Sequence, residues 1–140
     1  MTVSKPSQAL ASFAAGIDAS ALPYEVRQKL GWLLLDFLRV CSIGARLPWS
    51  TWARRYVSAV GKAGTSHVLY SSDMLNPQHA TFMNVTFGSS FDGDDTHVGA
   101  MLHPGVAVWS AASPRGVFSA RPGWCRPAAR WIACLCSLQM

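Results

Sequence analysis

No acidic residue occurs after position 95. All seven (Asp18, Glu25, Asp36, Asp73, Asp92, Asp94 and Asp95) lie before it, and the formal charge of +5 arises from that asymmetry. Residues 113–140 hold four arginines (Arg115, Arg121, Arg126, Arg130), with no lysine, no histidine and no acid. A nucleic-acid-binding arm interleaves Lys and Arg with polar residues, whereas these arginines sit among Pro, Ala, Trp and Cys, so no nucleic-acid partner is expected. Long apolar runs are also missing. No stretch of eighteen uncharged apolar residues exists, so no membrane span is expected. No apolar stretch is followed by a small-residue cleavage site, so no secretory leader is expected and the cytoplasm is the expected compartment. Internal repeats and low-complexity segments are absent. Charge is sparse at 14% and half the residues are apolar, a composition that excludes a disordered chain and suits one domain of ordinary size.

Three of the four cysteines (Cys125, Cys134, Cys136) fall in the same acid-free segment. Zinc sites pair their ligands at gaps of two to four, and here only Cys134 and Cys136 are near each other, at a gap of one. A disulfide framework finds no support in a chain with no secretory signal. The mixture of Arg, Pro, Ala, Trp and Cys matches a frame-shifted translation of GC-rich DNA. Residues 113–140 are therefore expected to be an aberrant, disordered basic tail, with prolines at 114, 122 and 127 breaking any long helix.

Residues 1–112 read as helices with one extended stretch. Ser4 and Pro6 open a helix with Leu10, Phe13, Ala14 and Ile17 on one face. Pro23 and Glu25 suit the start of a second, in which Val26, Leu30, Leu33, Leu34, Phe37, Leu38 and Cys41 recur at threes and fours until Gly44. A third is predicted over 50–60, with Trp52, Tyr56 and Val60 on one side and Arg54 and Arg55 nearer solvent. Thr65 to Ser71 has the character of a short strand. Asn76-Pro77 is a cap and first-turn pair that opens a fourth helix, striped by Ala80, Met83, Asn84 and Phe87 up to about Phe91. Pro104 begins a fifth through Ala112, with His103 at its cap.

The densest polar cluster is Asp92-Gly93-Asp94-Asp95-Thr96-His97, followed by His103-Pro104-Gly105. Three carboxylates in four residues need protons, cations or hydrogen-bond donors, and two imidazoles nearby suit proton transfer near neutral pH. The amides of Gly105 and Val106, at a helix start, favour an anion. An EF-hand fails on spacing: from Asp92, the sixth position is His97 rather than Gly and the twelfth is His103 rather than Glu. A metal site from Asp92, Asp94, His97 and His103 is chemically feasible but has no recognised ligand spacing, and no metal is expected. Asp92-x-Asp94-x-Thr96 also matches the nucleophile motif of haloacid-dehalogenase-like phosphatases. That motif must leave a buried strand, and here a helical pattern and Gly88-Ser89-Ser90-Phe91 precede it.

Asn84, Asp92-x-Asp94-Asp95-Thr96-His97 and Leu102-His103-Pro104-Gly105 together resemble the N-terminal helical domain of the MmgE/PrpD family. The register of Leu22-Pro23, Leu34-Leu35-Asp36 and Gly44-Ala45-Arg46 agrees, and the resemblance covers about residues 6–112. Val85, Ser89 and Gly93 depart from the family pattern, which has Gly, His and an aromatic at those places. The resemblance implies a mainly α, helical-bundle domain with one short extended segment, partial over residues 1–112. It further implies cofactor-independent lyase chemistry on small di- and tricarboxylates, of the 2-methylcitrate dehydratase or cis-aconitate decarboxylase kind, and homodimeric full-length relatives. By the same resemblance Asp92 and His103 are the candidate catalytic residues, and Thr96, His97 and Gly105 the candidate substrate-binding ones. Asp94 and Asp95 are expected to brace the loop by accepting its backbone amides. Family members are much longer, so the chain is expected to be an inactive fragment. The other reading, from a different class, is a small standalone helical protein that binds a carboxylate or presents an interaction surface without catalysis.

Overall fold

A computed structural model describes residues 6–113. The Ser4 helix start and the segment after Ser113 lie outside the described residues. The architecture is mainly helical: α1 (Pro6–Gly16), α2 (Tyr24–Gly44), α3 (Pro48–Val60), a hairpin of β1 (Ala63–His67) and β2 (Met74–Leu75), α4 (Pro77–Gly88) and α5 (Pro104–Ala112). Short 3-10 turns sit at Ala19–Ala21 and Val98–Ala100. No helix among the described residues is long and apolar enough to cross a membrane.

The helix α4 is central, packed against α2, α3, α5 and the hairpin. It starts where Asn76 ends the extended chain: the Asn76 Oδ1 accepts the His79 amide at 2.9 Å and Pro77 fills the first turn. Ala80, Met83, Asn84 and Phe87, the stripe expected from the sequence, are buried along it with Gly88, where the helix ends instead of near Phe91. The core joins Ala80, Met83 and Phe87 to Phe37 and Cys41 of α2, Val57 of α3, Val68 between the two strands and Trp109 of α5. Gly44 is where α2 meets α4, because a Cβ there would collide with the Phe87 carbonyl.

Asn84 is the polar member of the stripe, fully buried, and its amide is satisfied from three directions. Its Oδ1 accepts the Leu69 amide at 2.8 Å, and its Nδ2 donates to the His67 carbonyl at 3.4 Å and to Ser113 Oγ at 2.9 Å. One side chain thus ties α4 to the hairpin and to the end of α5. Ser113, the first residue of the acid-free segment, is itself buried and donates to the Ser110 carbonyl at 3.2 Å.

Three expectations are corrected. The strand predicted over 65–71 lies at 63–67 instead, because Tyr70 takes a left-handed conformation (φ 53°) that turns the chain. The Tyr70 hydroxyl then donates to the Leu38 carbonyl at 2.9 Å, and the chain returns as β2, antiparallel with His67 opposite Met74. The second correction concerns α3. Trp52, Tyr56 and Val60 face outward, 66%, 57% and 49% exposed, while Ser50 and Val57 form the buried line. Arg54 lies over the Phe87 ring, 4.7 Å from its centroid, rather than toward solvent. The third is Phe13, half exposed on α1, where Ala14 is the buried residue.

Candidate active site

The loop from Ser89 to His103 leaves the C-terminal end of α4 and returns to the start of α5, so both of its ends are held by core helices. Arg39 of α2 fastens its first part: Nη2 donates to the Gly93 carbonyl at 2.6 Å while pairing with Asp36 at 2.8 Å. Asp95 fastens its second part. The Gly105 amide donates to both carboxylate oxygens, Oδ1 at 3.0 Å and Oδ2 at 3.1 Å, and a Cβ on Gly105 would run into that carboxylate. Bracing by Asp95 is the role expected from the sequence. The helix start thus draws its anion from the chain itself, the Asp95 carboxylate seated on the Gly105 amide.

Between these ties, a tight turn carries the histidines. His97 and Leu102 pair across it, the His97 amide donating to the Leu102 carbonyl at 2.8 Å, with Met101 left-handed (φ 51°) at the corner. The His97 Nδ1 accepts the Ala100 amide at 2.9 Å and so caps the 3-10 turn. His103 sits at the cap of α5, as its place before Pro104 predicts, but its side chain does not cap the helix. Its Nδ1 lies 3.3 Å from Asp94 Oδ1 and 3.4 Å from Thr96 Oγ1.

Asp92, Asp94 and His103 bring one potential ligand atom each to within 4.8 Å of one another. Asp92 is exposed and the Asp94 side chain is 6% exposed. Three such atoms are few for a cation site, and Nδ1 of His103 already faces the Asp94 carboxylate. Thr96 joins this group to a neighbouring cavity of about 490 Å³, which Lys29 and Leu33 of α2 line together with Asp95, Thr96, His97, Val98 and Gly99. Of the expected site residues, Asp92, Thr96 and His103 come together, and Thr96 and His97 line the cavity. Asp92, His103 and Gly105 do not line that cavity. Sequence reasoning missed Lys29, which lies on the exposed side of α2 and carries no signal in the sequence.

The sequence profile of the MmgE/PrpD N-terminal domain matches residues 8–114, from α1 through this loop to the end of α5. The chain belongs to that family. The MmgE/PrpD segment is 29% identical over 94 residues to a cis-aconitate decarboxylase-like protein, oryM, of Aspergillus oryzae, covering 67% of this chain and 20% of the relative. Over 102 residues it is 29% identical to cis-aconitate decarboxylase of Aspergillus terreus, covering 71% of this chain and 20% of that protein. The chain therefore spans about a fifth of the length of these curated relatives. No solved structure matches it.

Proposed function

We propose that this MmgE/PrpD domain forms one wall of the active site of a cofactor-independent lyase acting on a small di- or tricarboxylate, with cis-aconitate decarboxylation the leading reaction and dehydration of a 2-methylcitrate-like hydroxy acid the sister one. The observation that carries the reading is the convergence of Asp92, Asp94 and His103 within 4.8 Å, with Thr96 at the same imidazole, inside the segment that matches the family. The chemistry is economical. Decarboxylation leaves an electron pair on carbon that a proton must quench, and dehydration needs a base for the α-proton and an acid for the departing hydroxyl. An imidazole between a carboxylate and a hydroxyl can carry the α-proton to the departing hydroxyl in dehydration, and in decarboxylation can take a proton from water and give it to carbon. The substrate's own carboxylates need cations or amides, and Lys29 on the cavity beside Thr96 and His97 is suited to hold one of them.

A polycarboxylate needs more than one cation, and Arg39 is already engaged by Asp36 and Gly93. The 140-residue chain is therefore expected to turn over neither cis-aconitate nor 2-methylcitrate. Carbon dioxide release and dehydration assays on the purified chain check this, and turnover would show that the site is complete without further residues. In a version extended to family length, activity is expected, and His103→Ala should lower kcat by at least about a hundredfold. Full activity in that variant would remove His103 from the mechanism.

A further inference from the structure

The two histidines of the loop have oppositely employed rings. His97 Nδ1 accepts the Ala100 amide at 2.9 Å, so in the neutral ring this nitrogen carries the lone pair and the proton resides on Nε2. His103 Nδ1 faces two oxygens instead. Asp94 Oδ1, at 3.3 Å, can only accept. The Thr96 hydroxyl directs its own proton to the Asp94 carbonyl at 3.4 Å, which leaves an oxygen lone pair toward the ring, also at 3.4 Å. With the Thr96 proton on the Asp94 carbonyl, both oxygens beside Nδ1 are acceptors, an arrangement that favours the neutral ring with its proton on Nδ1. The lone pair of His103 is then on Nε2, which has no hydrogen-bond partner among the described residues.

We propose that Asp94 is the positioning residue of His103: it holds the neutral imidazole as the Nδ1–H tautomer and keeps Nε2 as the atom that takes and returns the proton. The inference rests on the lyase reading above and reassigns a part within it, since sequence reasoning gave Asp94 only a bracing role and chose Asp92 as the reactive carboxylate. Two features fit Asp94 for this. Its side chain is almost wholly shielded, whereas Asp92 is exposed, so its interaction with the ring is the less screened by water. Its neighbours on both sides are tied down, Gly93 by Arg39 and Asp95 by the Gly105 amide, which holds the carboxylate in place. When Nε2 takes a proton, the ring becomes an imidazolium whose charge faces an ionised Asp94. That proton is the substrate's α-proton in dehydration, passed on to the departing hydroxyl, and comes from water in decarboxylation, passed on to carbon; either transfer restores the Nδ1–H form, and Asp94 neither gains nor loses a proton.

The test reads the tautomer directly, by long-range 1H–15N correlation on the 15N-labelled 140-residue chain at a pH where both rings are neutral. The wild-type chain should show the lone-pair nitrogen of His103 at Nε2 and that of His97 at Nδ1. Asp94→Ala should move the His103 lone-pair resonance to Nδ1 and leave His97 unmoved, the latter reporting that the turn still folds. Asp94→Leu fills nearly the same space without an acceptor and gives the same readout if the alanine variant does not fold. Asp94→Asn retains an accepting oxygen and should restore the wild-type pattern, and Asp92→Ala should not disturb it. A wild-type His103 with its lone pair on Nδ1 overturns the proposal whatever the variants do, as does an unmoved resonance in a folded Asp94→Ala. Because the readout is not turnover, a missing lyase activity leaves the tautomer assignment standing, and a wrong tautomer leaves Lys29 and Thr96 in the lyase reading.

Discussion

The helices α3 and α4 read alike in sequence, each opened by a proline and each striped with large apolar residues, yet their stripes face opposite ways. On α4, Ala80, Met83 and Phe87 form the centre of the core. On α3, Trp52 and Tyr56 face outward, and contact with the core passes through Ser50, Ala53 and Val57. Ser50 can approach closely because its hydroxyl donates to the Gly44 carbonyl at 2.6 Å, which satisfies it without bulk. Periodicity therefore locates a helix and its faces, but on α3 it is the face of smaller side chains that packs inward. The exposed aromatics of α3, with Phe82 of α4 edge-on to Tyr56 at 6.0 Å, form an apolar surface that the described residues leave uncovered.

That contrast is open to mutation. The largest effect belongs to the inner stripe: Phe87→Ala should cost about 3–5 kcal/mol in urea unfolding, the usual scale for emptying a buried aromatic site, and it also removes the ring beneath Arg54. Trp52→Ala, a larger truncation on the outer face, should stay within about 0.5 kcal/mol. Equal losses would mean that the outer face is covered in solution. Next comes the polar member of the inner stripe. Asn84→Ala strands the Leu69 amide and should cost roughly 1–3 kcal/mol, with faster hydrogen exchange at Leu69 as the local sign. An unchanged exchange rate at Leu69 would show that the contact carries no weight.

The smallest effect is a pH slope. Burial in the core pushes the Cys41 thiol from 9.0 up to about 12, where it donates toward the Asn84 carbonyl. Desolvation, and then the neighbouring Cys41, raise the Tyr70 phenol as well. Below pH 9.0 the thiol is protonated in both the folded and the unfolded chain, and its contribution is complete. Above it the unfolded chain ionises first, so stability falls as pH rises toward about 12. By about pH 10 the loss should be roughly 1.4 kcal/mol. Cys41→Ala should flatten the slope, and an equal slope in that variant would place the effect elsewhere.

The parts of this fold that were legible in the sequence are those written in local chemistry. Asn76-Pro77 marks the start of α4, His103-Pro104 marks the start of α5, and each fixes its helix to within a residue. The hairpin was half legible: Met74–Leu75 is too short to show alternation, and it pairs only because Tyr70 turns the chain. In the loop, Asp95 was recognised as a brace and Gly105 as an anion-seeking amide, yet the two are halves of one hydrogen-bonded pair. Ten positions separate them, and no spacing rule links them. Lys29 was invisible for the same reason, since its place beside Thr96 and His97 depends on how α2 crosses the loop.

The Asp95–Gly105 pair also sets a chemical threshold at the start of α5. A carboxylate on the same chain acts as a permanently supplied competitor, with an effective concentration on the order of millimolar or higher. A free metabolite carboxylate at lower concentration cannot dislodge it. The helix end that looks most receptive to anions is thus already taken by a carboxylate of its own chain.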